Sequence, residues 1–299
     1  MKDIDRSGVM IESVLDEKYE KKGYLYDDYR MFYLIDQEDR EFDNHYHEFD
    51  KIILFLNGDV SYTIEGKSYE LIEKDIILVR HGDIHKVKIG SNIPYERIVM
   101  YISPEYLKIY DKEHFHLDQC FLEAKERYSY VIRLKGKEKN PINRLITQMK
   151  EVLEQEHKDD AAEALFQKTL LIQFLILLKK AIGDGLFYYI DTEHCNKKIV
   201  EIIQYINAHL TEELNIDLLA EQFYLSKYYM MRQFKKETGY TVGSYINNKR
   251  LLYARELIQK GEALTQVCFE CGFKEYSSFH RAYKKLFGIS PVKSREDEI

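Results

Sequence analysis

Arg232-Gln-Phe234-Lys235-Lys236-Glu-Thr-Gly239-Tyr-Thr241 and Arg281-Ala-Tyr283-Lys284-Lys285-Leu-Phe-Gly288-Ile-Ser290 are one pattern written twice, 49 residues apart. In each copy an aromatic residue sits two positions after an arginine and just before a basic pair, and a glycine follows where a helix can stop. The spacing predicts a short helix with one buried side and one cationic side. A duplicated helix of this kind suits a surface that touches two successive stretches of a polyanion.

Working outward, Ser226 is a suitable N-cap for a helix over Lys227–Glu237, and Thr241 for a longer one ending near Ile258. Leu218, Leu219 and Phe223 form a short helix ahead of the first copy, and Leu264–Cys271 one ahead of the second, which runs Ser277–Phe287. Leu219-Ala220 matches Val267-Cys268 at an offset of 48, whereas the following helices match at 49, so the second turn is one residue longer. Met230 and Phe234 share one face and should bury, as should Phe279, Tyr283 and Phe287. Tyr228, Met231, Arg232 and Lys235 then form an exposed stripe, and Ser277, His280, Arg281 and Lys284 the corresponding one. In a helix-turn-helix unit such a stripe enters the DNA major groove, where arginine can pair bidentately with guanine. Lys235, Lys236, Lys284 and Lys285 lie at the helix ends, which suits phosphate contact. One copy alone reads equally well as an amphipathic helix with solvated charges; two copies with the same flanking helices favour DNA.

The charge distribution agrees. The chain of 299 residues has a net charge of -7, but residues 196–299 carry 16 Lys and Arg against 13 Asp and Glu, a net of +3. The remaining 195 residues carry 28 against 38, a net of -10. Only the C-terminal third is basic. Four cysteines in a chain of this length do not make a disulfide framework and point to a reducing cytosol. Cys268-x-x-Cys271 lacks a second ligand pair and is expected as two small helix-core residues. The start, Met1-Lys-Asp-Ile-Asp, has no apolar core of an export signal. The apolar run Leu165–Leu178 is interrupted by Gln167, Lys168 and Gln173 and is expected to be too short to span a bilayer.

From about Tyr29 to Ile102 the pattern is β: Met31–Ile35, Ile52–Leu56, Ile76–Val79 and Ile98–Ile102 are short apolar runs between turn clusters. Val60-Ser-Tyr62-Thr-Ile64 alternates and enters a Glu-Gly-Lys hairpin, with Ser68–Leu71 returning. A small barrel or jelly roll follows. After Pro104 the pattern becomes helical, with Pro141 opening one helix and Ala161–Ile182 forming a second that is apolar nearly all round. One side of that helix is expected to cover the barrel and another to meet a second subunit.

Residues 197–299 resemble the DNA-binding domain of the AraC/XylS family of bacterial transcription regulators. The most specific stretch is Leu264-Thr-Gln-Val-Cys-Phe-Glu-Cys-Gly-Phe273-Lys-Glu-Tyr-Ser-Ser-Phe279-His-Arg-Ala-Tyr283-Lys-Lys-Leu-Phe-Gly288-Ile-Ser-Pro291. The resemblance implies two helix-turn-helix modules held by the long helix and reading adjacent major-groove segments on one DNA face. It makes Tyr228, Met231 and Arg232 base-reading candidates in the first module, and Tyr276, Ser277, His280 and Arg281 in the second. Glu275 stands where the family commonly has an Asp cap, and Glu caps poorly.

The N-terminal segments His45-Tyr-His47 and Lys74-Asp-Ile-Ile-Leu-Val-Arg-His81-Gly-Asp-Ile-His85 resemble the two signature segments of cupin jelly rolls, as found in the sensor half of many such regulators. In metal cupins two His and a Glu from the first segment join a His from the second. Here His45, His47 and His85 fit the histidine positions, but the Glu position is Lys51, and a cation there removes a ligand and repels a metal. Three readings stand: a metal-free effector pocket, a three-His metal site completed by Glu48, Asp50 or water, and purely structural histidines. The first is preferred, with no metal or other cofactor and with His45, His47, Lys51, Tyr62 and His85 as ligand-binding residues. His81 and His114-x-His116 are expected in surface loops.

The expected architecture is α+β with two domains: a cupin-like jelly roll with flanking helices over residues 1–135, a helical dimerisation segment over 136–185, a linker over 186–196 and an all-α tandem helix-turn-helix domain over 197–299. The expected function is that of a cytoplasmic transcription regulator without catalytic residues. Its expected partners are promoter DNA, a sugar-like effector and a second copy bound through residues 141–182, with RNA polymerase as a candidate. The alternative is a metal-dependent cupin enzyme with an appended helical domain.

Overall fold

The alternating and buried runs do form strands. A computed structural model describes residues 25, 27–36, 40–90, 93–112, 115–135, 140–154, 161–192 and 194–296. The described residues fall into two units, one comprising the residues up to Ile64 with Ser68–His194, the other Glu65–Lys67 with Cys195–Ile299.

In the first unit the strands are β1 (Tyr29–Asp36), β2 (Arg40–Glu41), β3 (Asp50–Asn57), β4 (Val60–Ile64), β5 (Lys67–Glu70), β6 (Ile76–Val79), β7 (His85–Ile89), β8 (Tyr95–Ile102), β9 (Val131–Leu134) and β10 (Phe187–Tyr189). They make two antiparallel sheets, in the orders β1-β8-β3-β6-β9-β10 and β2-β7-β4-β5. β4 alternates buried and half-buried residues, as a strand with one face on a core must. β3, β6 and β8 are buried almost throughout, because helices or the second sheet cover both their faces. The turn between β4 and β5 has Glu65 at φ 47° and Gly66 at φ 78°. Two successive left-handed residues match the right-handed twist of the flanking strands.

Around the sheets lie α1 (Pro104–Lys108), α2 (Gln119–Arg127), α3 (Pro141–Leu153) and α4 (Ala161–Gly183). Asn140 caps α3, its side chain accepting from the Ile142 amide at 3.0 Å, and Pro141 follows at the first turn as expected. The chain after Pro104 is not wholly helical, however. β9 joins the six-stranded sheet beside β6, and β10, inside the stretch expected to be linker, pairs with β9. Helix α4 matches the expected Ala161–Ile182 to within one residue. Its 23 residues are long and apolar enough to cross a membrane by length and composition alone. Leu170, Leu171, Phe174, Leu175 and Leu178 are nevertheless buried in the same core as the sheets.

The second unit is helical: α5 (Lys197–Ala208), α6 (Ile216–Gln222), α7 (Lys227–Thr238), α8 (Val242–Gln259), α9 (Leu264–Glu270), α10 (Tyr276–Phe287) and α11 (Pro291–Glu296). The repeat survives into geometry. α9 begins 48 residues after α6, and α10 begins 49 after α7. Gly239 and Gly288 end their helices at φ 76° and 75°, each amide returning to a carbonyl of the last turn.

Candidate DNA-binding helices and the histidine cluster

Helix α7 starts where Ser226 Oγ accepts from the Tyr229 amide at 3.3 Å, and α8 where Thr241 does the same for Ser244 at 3.2 Å. Glu275 gives α10 no side-chain cap. Burial fixes that helix instead. Phe279, Tyr283 and Phe287, one helical turn apart, pack with Val267, Cys268 and Cys271 against Leu251, Ala254 and Leu257 of α8. Each large side chain removed from water contributes roughly 2 kcal/mol. In the first module Met230 and Phe234 are buried, and Phe234 meets Tyr245 of α8 edge-on at 5.3 Å. Both cysteines of Cys268-x-x-Cys271 are fully buried free thiols, and burial pushes the Cys271 thiol up to about 12.

With those faces turned inward, the predicted stripes face water. Tyr228 is 76% exposed, and Met231, Arg232, Lys235 and Lys236 are exposed beside it. On α10, Ser277, Arg281, Lys284 and Lys285 are exposed, while Tyr276 and His280 are half-buried with ring centroids 6.2 Å apart. Some other exposed cations of this unit are paired, Lys227 with Asp217 and Lys274 with Glu213, both at 2.8 Å, whereas Lys197, Lys260, Lys293 and Arg295 are exposed and lie off the two stripes. Among the described residues no carboxylate pairs with Arg232, Lys235, Lys236, Arg281, Lys284 or Lys285. Six unneutralised cations on two helices are what a phosphate backbone requires.

One important residue is invisible to the helical pattern. Arg250, in the middle of α8 and nearly buried, donates from Nε to the Leu210 carbonyl at 2.9 Å, from Nη1 to that of Gly272 at 2.9 Å and from Nη2 to that of Glu212. It ties the turn after α5 to the turn between α9 and α10. A Cβ on Gly272 would stand 2.8 Å from this guanidinium, and the residue has φ +80°, so the turn takes glycine on both counts. The equivalent turn of the first module places Tyr224, 95% exposed, at φ 53°.

In the barrel, His45 and His85 are locked backbone to backbone, each amide donating to the other's carbonyl at 3.0 and 2.8 Å. The His47 carbonyl accepts from the Gly82 amide at 2.8 Å, so the two signature segments are stitched together. The three imidazoles converge, with ring centroids 5.0 Å (His45–His47), 4.4 Å (His45–His85) and 5.0 Å (His47–His85) apart. His47 is stacked on Phe49 at 4.6 Å, and His85 lies parallel to Tyr62 at 6.0 Å. Burial, then the neighbouring imidazoles and the Lys51 ammonium, hold His47 and His85 well below the usual imidazole range, so both rings are neutral at pH 7. Lys51 is itself buried, with Nζ 5.4 Å from the centroid of the Tyr101 ring. The five residues expected at the ligand site share one interior with Phe49, just ahead of β3, and Tyr101 of β8.

The remaining histidines differ from expectation. His81 is no surface residue: its amide and Nδ1 both meet Asp50 Oδ1 at 2.8 Å, a clasp that holds Asp50 away from the imidazole cluster. Among the described residues neither Glu48 nor Asp50 joins the three histidines. His116 is exposed and 3.2 Å from Asp111, and His114 lies outside the described residues.

Residues 31–175 match the family model of an AraC-like ligand binding domain, and residues 219–297 match that of a helix-turn-helix domain. The chain belongs to the AraC/XylS family. It is a transcription regulator with a ligand-binding and a DNA-binding domain. It is 27% identical over 258 residues to the HTH-type transcriptional activator RhaS of Escherichia coli, covering 86% of this chain and 88% of that protein, and strain variants of RhaS give the same figures. Similar solved structures include ToxT from Vibrio cholerae (15% identity, TM-score 0.35, 90% of this chain and 98% of that one). The DNA-binding domain of AdpA in complex with a target DNA matches at 24% identity and TM-score 0.32, covering 32% of this chain and 88% of that one. In this AraC/XylS chain the helix-turn-helix match spans α7 and α10, and the ligand-binding match spans the histidine cluster, α3 and most of α4.

Proposed function

We propose that this regulator reads promoter DNA in the cytoplasm through α7 and α10, and that a small sugar-like metabolite held in the barrel governs it. The observation that carries the DNA half is the set of unpaired cations on two helices whose apolar faces are buried. Tyr228, Met231 and Arg232 read bases in the first module, and Tyr276, Ser277, His280 and Arg281 in the second. Lys235, Lys236, Lys284 and Lys285 hold phosphates. The converging side chains of His45, His47, Lys51, Tyr62 and His85 support the barrel interior as the effector site. Leu165, Phe166 and Ile176 of α4 are exposed apolar residues, which supports a second copy docking across residues 141–182. Effector binding then favours one subunit geometry and so one spacing of DNA half-sites. RNA polymerase is the further partner such a regulator addresses. No catalytic step is assigned. Relatives named as transcriptional activators support activation as the direction of control.

The test uses DNA selected from a randomised library by the purified full chain. Arg232→Ala and Arg281→Ala should each weaken that site by roughly 1–3 kcal/mol, about five- to 150-fold in Kd, and relax discrimination at one position. Lys235→Ala should instead weaken all sequences alike and reduce the slope of log K against log salt by about one unit. If both arginine variants bind as tightly as the parent, the assigned base readers are wrong. For the effector, a thermal-shift screen over sugars should find one that raises the barrel's melting temperature; a screen in which none does removes the sugar.

A further inference from the structure

The barrel interior is not lined by histidines alone. Strand β8 turns Tyr95, Arg97, Val99 and Tyr101 to one face, since side chains alternate along a strand. On the neighbouring β3, Lys51 stands opposite Tyr101 and Phe55 opposite Arg97. The Tyr101 ring lies 6.2 Å from that of His47 and beneath the Lys51 ammonium, so this face of β8 looks onto the imidazoles. Lys51, Tyr95 and Arg97 are all buried.

Arg97 serves to hold Tyr95. Its Nη2 donates to Asp36 of β1 at 2.5 Å and its Nη1 to the Tyr95 carbonyl at 3.2 Å. The guanidinium lies on the Tyr95 ring, 3.8 Å from the centroid, so the phenol is fixed in place. Its hydroxyl is nevertheless buried with no hydrogen-bond partner among the described residues. Burial holds this phenol well above its usual range, and the Lys51 ammonium is near enough to oppose the rise. The hydroxyl is therefore a protonated donor that shares its surroundings with a buried cation. Buried polar groups are normally satisfied, so this end of the interior calls for an acceptor, and a negative one.

The histidine end calls for the opposite. His45 Nδ1 lies 2.7 Å from the Asp43 carbonyl, and His85 Nδ1 lies 3.0 Å from the Asp83 carbonyl. A carbonyl can only accept, so both rings carry their proton on Nδ1. His85 Nε2 is then an acceptor, buried and without a hydrogen-bond partner among the described residues, as are both nitrogens of His47. A neutral sugar could donate to these nitrogens but brings no charge to Lys51, and a simple anion answers Lys51 but brings no donor.

We infer that the effector is a hydroxylated carboxylate of sugar size, a uronate or an aldonate. Lys51 Nζ and the Tyr95 hydroxyl take its carboxylate, and one of its hydroxyls donates to His85 Nε2. This rests on the barrel interior being the effector site and narrows its occupant from sugars in general to sugar acids. Away from water, hydrogen bonds to a carboxylate are about twice as strong as neutral ones, so the charge sets affinity and the hydroxyls set orientation.

The test titrates the purified full chain calorimetrically with neutral hexoses and pentoses and with the uronate and aldonate of each. At least one acid should bind on the order of 100-fold more tightly than its neutral parent. Lys51→Met should erase that preference, and removal of a buried charge leaves the fold able to form. Tyr95→Phe keeps the ring on Arg97 and loses only the hydroxyl; it should weaken the acid about tenfold and leave the neutral parent unchanged. A neutral sugar that binds as tightly as its acid, or a preference that survives both variants, overturns the carboxylate and leaves the effector site standing. A panel in which nothing binds removes the carboxylate and the sugar-like effector together.

Discussion

Arg250→Ala should destabilise the helical unit by about 3 kcal/mol, because three backbone carbonyls lose charged donors at once. The guanidinium is nearly buried at the midpoint of α8, and burial already pulls it below the usual guanidinium range. The structure tolerates that desolvation because the Leu210, Glu212 and Gly272 carbonyls surround the group. Alanine leaves those carbonyls without their donor and opens space where the Gly272 turn leans on the side chain. Hydrogen exchange on the full chain reads the loss directly. Amides of α9 and α10 should exchange on the order of 100-fold faster, while those of β3 and β8 keep their rate. DNA affinity should fall as well, although Arg250 is nearly buried and belongs to neither exposed stripe. Unchanged exchange in α10 would mean that hydrophobic packing alone holds the second module.

Arg133→Ala should cost the barrel about 3 kcal/mol. Asp75 is fully buried, and its two carboxylate oxygens accept from Arg133 Nε and Nη2 at 2.7 Å each, with the Ile72 amide as a further donor at 2.9 Å. The hydrogen bonds to Asp75 also push the Arg133 guanidinium above its usual range. Removing the arginine strands a carboxylate in the interior, whereas the exposed pairs of the helical unit contribute little. Urea unfolding followed by tyrosine fluorescence measures the change. The double variant Asp75→Asn, Arg133→Ala should recover part of the loss, since the asparagine carries no charge to strand. If the double variant is as unstable as the sum of the two single ones, the pair is not what secures β9 to the sheet.

How far the sequence reveals this molecule depends on how local the cause is. Helices α7, α8 and α10 were legible because their determinants lie within a dozen residues: caps at Ser226 and Thr241, apolar residues one turn apart, and glycine at the left-handed stop. The tandem copy then favoured DNA over a merely solvated surface. Arg250 was not legible, since an arginine in a polar-looking stretch of helix reads as exposed until the distant turns close on it. The short strands β9 and β10 escaped for a related reason. Four and three residues are too few to show a period, and β10 pairs with residues more than 50 positions away.

The barrel shows the same division. The spacing of His45, His47 and His85 announced a shared site, but not which neighbours complete it. Asp50, a candidate ligand by proximity in sequence, is turned away by His81, and Tyr101 arrives from the opposite strand of the β3–β8 pair. The tautomers depend on the Asp43 and Asp83 carbonyls, which no side-chain pattern encodes.

One duplex should accept α7 and α10 together, and hydroxyl-radical footprinting of the full chain on its selected DNA is the experiment that decides it. The expected footprint is two protected segments per subunit, about 10 base pairs apart on one face of the duplex, with Arg232→Ala opening one segment and Arg281→Ala the other. A single protected segment, or two that both survive in each arginine variant, would contradict it.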